Sequence, residues 1–215
     1  MSRETQRPYV PAPYRMETAA ARAMIRAQPF ALIVTPGQDG VTEASHTPLY
    51  FEDGTPECPT LIGHIARINP QTPDLLRGGP ALAVFTGPSA YVSPRWYVEA
   101  EDVPTWVYRA VQVRGRIAPV AEGPQMLALM ENIIAQSEAR IGGDWQLSRI
   151  PQADVDRMMP RIVGFRLHIE TVTGVSKLEQ TRSAANRDAV GAALRLGEDP
   201  GGVALAPLMQ ARAPT

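Results

Sequence analysis

The stretch Gly63-His64-Ile65-Ala66-Arg67-Ile68-Asn69-Pro70-Gln71 gathers the donor types that hold an anion. Asn69 followed by Pro70 predicts a helix start: an Asn cap, then a proline whose missing N–H costs nothing at the first helical position. Gln71 to Arg77 would carry one short helix, stopped by Gly78-Gly79. Free backbone N–H groups at such a start favour phosphate, and Arg67 just upstream adds a full positive charge. His64 supplies a further donor. The alternative for the same residues is a satisfied turn with a solvated arginine, and the nonapeptide by itself leaves both open.

Other chemistries find less support. No Gly-x-Gly-x-x-Gly follows a strand, and neither a Walker-type loop nor a Gly-x-Ser-x-Gly elbow is present. His46, His64 and His168 are too dispersed for a metal motif, and the single cysteine, Cys58, forms no cluster with them. No two carboxylates stand out as an acid/base couple. The sequence therefore nominates no catalytic residue and no metal ligand, and any chemistry must come from a bound cofactor. One cysteine excludes an internal disulfide, no apolar run is long enough to cross a bilayer, and the N-terminus lacks a signal-peptide core. The cytoplasm is the expected address. The formal net charge of −1 weighs against autonomous DNA binding, which draws its affinity from neutralised phosphates. Arg114 and Arg116, on one side of a strand, are the best local basic face.

Hydrophobic periodicity sets out the elements that must position these residues. Residues 1–8 are expected to be flexible. Glu17 to Gln28 is an alanine-rich helix with Ala20, Met24 and Ile25 as its buried stripe. Phe30 to Thr35 is a buried strand ending at the hairpin signal Pro36-Gly37-Gln38-Asp39-Gly40. Val41 to Phe51 returns as a second strand, with Pro48 marking a bulge or an edge. After the turn Asp53-Gly54-Thr55-Pro56, Thr60 to Ile65 delivers the chain to the nonapeptide. Ala81 to Thr86 and Trp106 to Ala118 are further strands, and Gly123 to Arg140 is the clearest helix, with Met126, Met130, Ile133 and Ile134 as its stripe. A small helix follows over Ala153 to Met159. Ile162 to Val172 alternates, with Val163, Phe165, Leu167 and Ile169 inward and His168 outward. Ser183 caps a last helix to Leu196. From Gly197 to Thr215 no period survives, which predicts a mobile tail.

Strands in hairpin order with helices at the edges predict a mainly β (α+β) fold, a small antiparallel barrel, as one domain over 9–196. The segments Gly87 to Tyr97 and Val103 to Tyr108 are dense in proline and aromatics. They read as loops offering flat apolar surface to a planar ring, or else as packing over the barrel mouth or a dimer contact.

In order along the chain, these segments resemble the PaiB family of FMN-binding negative transcriptional regulators, over roughly Tyr9 to Leu196. The resemblance is carried by Tyr9-Val10-Pro11, Ser45-His46-Thr47-Pro48-Leu49, the whole of Gly63 to Gln71, Gly87 to Tyr97, Val103 to Trp106, Gly164-Phe165 and Lys177-Leu178-x-Gln180. It implies a split β-barrel of the FMN-binding, pyridoxamine-phosphate-oxidase-like type, a homodimer with FMN between subunits. Carried over, Ser45, His46 and Thr47 would line the flavin, and His64, Arg67 and Asn69 would hold its phosphate. Trp106 and Gln180 fall on further motif positions, Arg182 follows the last of these motifs, and all three are implied as cofactor-binding. One cradle with one nearby arginine suits the terminal phosphate of FMN rather than a dinucleotide.

Two departures bear on the flavin. Val107 stands where the family has Asn, and Glu179 and Thr181 stand in place of Ser and Asn in a Lys-Leu-Ser-Gln-Asn motif. Glu179 would repel a phosphate if it faced one. The resemblance implies a flavin-binding regulatory protein; related split barrels leave an FMN-dependent oxidoreductase, of the flavin-reductase or pyridoxamine-phosphate-oxidase kind, as the alternative. DNA is a possible partner that the net charge does not support, and no membrane partner is expected.

Overall fold

The computed structural model describes residues 9–37, 40–52, 59–99 and 103–210. Cys58, the turn at 53–56, Gln38 and Asp39 of the hairpin, and the N-terminal residues 1–8 lie outside the described residues. Eight strands are joined in one sheet: β1 (Arg15–Met16), β2 (Phe30–Pro36), β3 (Thr42–Pro48), β4 (Tyr50–Phe51), β5 (Thr60–Ala66), β6 (Gly79–Val92), β7 (Thr105–Pro119) and β8 (Ile162–Lys177). Their spatial order is β3-β2-β6-β7-β8-β5-β4, with β1 paired to β8. The pairs β2–β3, β2–β6, β4–β5, β5–β8 and β1–β8 are antiparallel. The helices are α1 (Thr18–Ala27), α2 (Thr72–Arg77), α3 (Pro124–Ile141), α4 (Gln152–Met158), α5 (Ala184–Leu196) and α6 (Pro200–Gln210). The expected mainly antiparallel architecture with peripheral helices is what forms.

The chain divides into two compact units. The larger, from residues 25–85 and 112–172, holds the nonapeptide. Its fully buried side chains include Ile33, Leu61, Phe85, Phe165 and Leu167, the inward positions of alternating strands. Pro48 ends β3 at an outer position of the sheet, where no ladder bond is required of it. Helix α3 packs Met126, Leu129 and Ile133 against Tyr50, Ile62 and Val120, with Met130 at the margin. The stripe thus runs through Leu129 where the sequence reading has Ile134, because i, i+3, i+4, i+7 from Met126 selects 129, 130 and 133. Gly115 lets β7 and β8 approach: a Cβ there would sit 2.1 Å from the His168 carbonyl oxygen.

The other unit is built from the chain up to residue 24, 86–111 and 173 onward. Its core joins Ala90, Val92, Tyr97 and Val107 to Val190 and Leu194 of α5 and to Leu205, Ala206 and Met209. Those last three belong to α6, a helix where the sequence reading expects a mobile tail. Glycine, alanine and proline hid the pattern, but Leu205, Ala206 and Met209 share one helical face and find an apolar partner surface on α5. The second correction concerns Gly87 to Val92, which extend β6 as strand rather than forming a loop, while Trp106 to Tyr108 lie in β7 as the strand reading of Trp106 to Ala118 expects. Tyr91, Trp106 and Tyr108 stand on the outward positions of β6 and β7.

Candidate functional site

At its end, β5 places His64 and then Arg67 and Asn69 in a turn before α2. The turn differs from the expected helix start. Asn69 does not cap α2; its Oδ1 accepts from the Gln71 N–H at 2.8 Å, an Asx-type turn, and α2 begins at Thr72 with Pro73 in its first turn. Six residues carry little macrodipole, so the donors of this cradle are side chains rather than helix N–H groups. The Asn69 amide donates to Ser45 Oγ on β3 at 2.9 Å. Two residues on, Thr47 Oγ1 donates to the His64 carbonyl at 2.7 Å. Ser45, Thr47, His64 and Asn69 are thereby drawn together.

His64 carries the sharpest polar anomaly. Its Nδ1 is buried and has no hydrogen-bond partner. Burial pushes the imidazole pKa below its ordinary value, so the ring is held neutral. A buried ring nitrogen without a partner is costly, and such positions in native proteins call for a water, an ion or a ligand group. The ring fits a phosphate or hydroxyl in this respect.

Gln71, the last residue of the nonapeptide, is a functional-looking position that sequence reasoning passed over as a helix residue. It is completely buried. Its amide nitrogen reaches Ile33 O at 3.2 Å, Thr35 Oγ1 at 3.0 Å and Glu43 O at 3.2 Å, bracing β2 and β3 under the cradle. Its position directly after Asn-Pro in the motif was the available signal.

The remaining candidates are placed differently. His46 lies on the opposite face of β3 from Ser45 and Thr47, as strand alternation requires, and stacks on Phe30 with ring centroids 5.7 Å apart. Arg67 bonds Pro160 O at 2.6 Å through Nε, and Glu122 Oε1 at 2.5 Å through Nη2. Trp106, Gln180 and Arg182 belong to the other unit. Trp106 is exposed and meets Tyr91 edge-on at 6.2 Å. Gln180 closes its own turn, donating to Ser176 O and accepting from Leu178 N–H. Arg182 lies over the Tyr97 ring and 3.5 Å from Glu179.

The two departures from the family pattern acquire physical reasons here. Val107 fills an inward position of β7 in the apolar core, where it is fully buried. Glu179 is buried, accepts from Tyr97 OH at 2.7 Å and pairs with Arg182, so its charge is compensated within its own unit. It holds a left-handed backbone angle, φ 59°, unusual for a residue with a side chain.

Among the described residues no cluster of three or more His, Cys, Asp or Glu could hold a metal, and no helix is long and apolar enough to cross a membrane. A family model described as "Putative FMN-binding domain" matches residues 8–171. The chain is 29% identical to protease synthase and sporulation protein PAI 2 of Bacillus subtilis over 181 residues, covering 84% of this chain and 86% of that one. Its structure resembles an FAD- and heme-binding protein of Mycobacterium smegmatis, with TM-score 0.55 at 15% identity over 75% of this chain and 71% of the other. A flavocytochrome of Azotobacter vinelandii gives TM-score 0.57 at 12% identity, over 80% and 74% of the two chains. These likenesses establish the split-barrel fold class, and the match over residues 8–171 establishes the lineage: the chain belongs to this FMN-binding family, of which the PaiB-like proteins are the relatives it resembles, and FMN is the cofactor that membership assigns.

Proposed function

We propose that FMN binds with its phosphate at the turn 67–71 and its ring system along β3, and that the loaded protein is a PaiB-type regulator in the cytoplasm. The unpartnered, buried Nδ1 of His64, on the strand that leads into the turn where Asn69 meets Ser45, is the observation that carries this reading. Ser45, Thr47, His64 and Asn69 would hold the ligand by hydrogen bonds, with Arg67 supplying charge. Trp106, Gln180 and Arg182 keep the cofactor roles that the family resemblance implies. Bound flavin would supply hydride or electron transfer, which the side chains themselves need only orient.

The assembly in this reading is a homodimer. Tyr91, Trp106 and Tyr108 form an exposed aromatic row on β6 and β7, of the kind that protein interfaces cover. The test is direct. Asn69→Ala removes both the donor to Ser45 and the acceptor for Gln71 N–H, and should weaken FMN binding about tenfold, measured by flavin fluorescence quenching. Unchanged affinity would remove the cradle from the account. Steady NAD(P)H consumption by the FMN-loaded protein would move the assignment to the oxidoreductase class.

A further inference from the structure

Arg67 is held in an unusually complete grip for a residue expected to meet a ligand. Its Nε donates to Pro160 O, its Nη2 to Glu122 Oε1 at 2.5 Å and, more weakly, to Ile162 O at 3.4 Å; its backbone N–H reaches Arg161 O at 2.8 Å. The Arg67 side chain nevertheless stays 37% exposed. The Glu122 side chain is 73% exposed, on backbone that is anchored on either side of it. Val120 N–H is tied to Gly164 O at 2.9 Å, and Gly123, at φ 83°, turns the chain sharply into Pro124 and α3. Glu122 and Pro160 both also line a cavity of about 390 Å³, floored by Met126, Leu127, Val155 and Met159.

We propose that Glu122 sets the affinity of the cradle for phosphorylated ligands by competing with the phosphate for Arg67. The proposal rests on the reading that the turn 67–71 holds the phosphate of FMN. A carboxylate at Nη2 occupies a donor of the guanidinium and offsets its charge, leaving less of both for a second anion brought to the same side chain. The pair is exposed enough for water to screen it, so its effect is modest and falls with salt. Glu122 acts on the ligand through Arg67, which makes it a specificity-setting residue for charge: it penalises FMN and is indifferent to riboflavin, which lacks the phosphate.

A double-mutant cycle read by flavin fluorescence quenching tests this, with FMN and riboflavin as the two probes. Glu122→Gln keeps the shape and removes the charge. It should tighten FMN binding about threefold to fivefold at low salt, with riboflavin binding unchanged. In an Arg67→Ala background the same substitution should have no effect on FMN. Glu122→Ala should repeat the result, which guards against a hydrogen bond peculiar to Gln. Unchanged or weaker FMN binding in Glu122→Gln overturns the proposal, as does equal tightening for riboflavin or persistence of the effect without Arg67. Wild-type protein that binds FMN no better than riboflavin overturns the cradle reading itself, whereas a cradle that prefers FMN but ignores Glu122 overturns only the competition.

Discussion

Held neutral by burial and with one nitrogen unsatisfied, His64 makes stability depend on pH. Its folded pKa lies below the ordinary 6.5, so between those two values the unfolded chain binds more protons than the folded one. Stability should therefore fall as pH drops through about 6.5 and stop falling below the folded pKa. Urea midpoints at about pH 7.5 and about pH 5.5 should differ for the parent and differ less for His64→Gln. An equal difference in the two proteins would show that His64 is not the group responsible. At this scale the sequence displayed the residue types of the proposed cradle, but not their partners. That Asn69 meets Ser45, or that Arg67 meets Glu122, depends on side chains 24 and 55 residues apart, a separation no local pattern encodes. The opposite face taken by His46 was legible, since alternation along Ser45-His46-Thr47 already separates it from its neighbours.

The elements divide by how much of their information is local. Strands with clean alternation, such as Ile162 onward, and the capped helix after Ser183, whose Oγ accepts from Asn186 N–H at 3.2 Å, follow directly from the residues. Helix α6 does not, because its stability comes from the apolar face it lays against the core shared with α5. The start of α2 moved because Asn69 found a closer use in the turn than in a cap. Gln71 is the keystone of this region, and Gln71→Leu should cost about 2–3 kcal/mol: it leaves the buried carbonyl of Ile33 without this donor while changing volume little. Chemical denaturation measures that. A loss under about 0.5 kcal/mol would mean that water replaces the amide and that the bracing is dispensable.

For the molecule as a whole, charge and fold point to different partners. A net charge of −1 gives DNA little to hold, and the exposed pair Arg114 and Arg116 on β7 is the basic face the sequence singles out. Any direct DNA binding should weaken steeply with salt and weaken further in Arg114→Glu/Arg116→Glu, as gel-shift titration would show. Nanomolar binding at physiological salt that survives both substitutions would place the DNA-contacting surface elsewhere. Family membership points instead to flavin, and the cradle claims that the phosphate is what it recognises. Equilibrium titration of the purified protein with FMN and with riboflavin, followed by flavin fluorescence, tests that claim most directly. The account predicts saturable binding of one FMN per chain and at least about tenfold weaker binding of riboflavin, the difference of a charge-assisted phosphate contact. Equal affinity for the two flavins, or no binding of FMN, would contradict it.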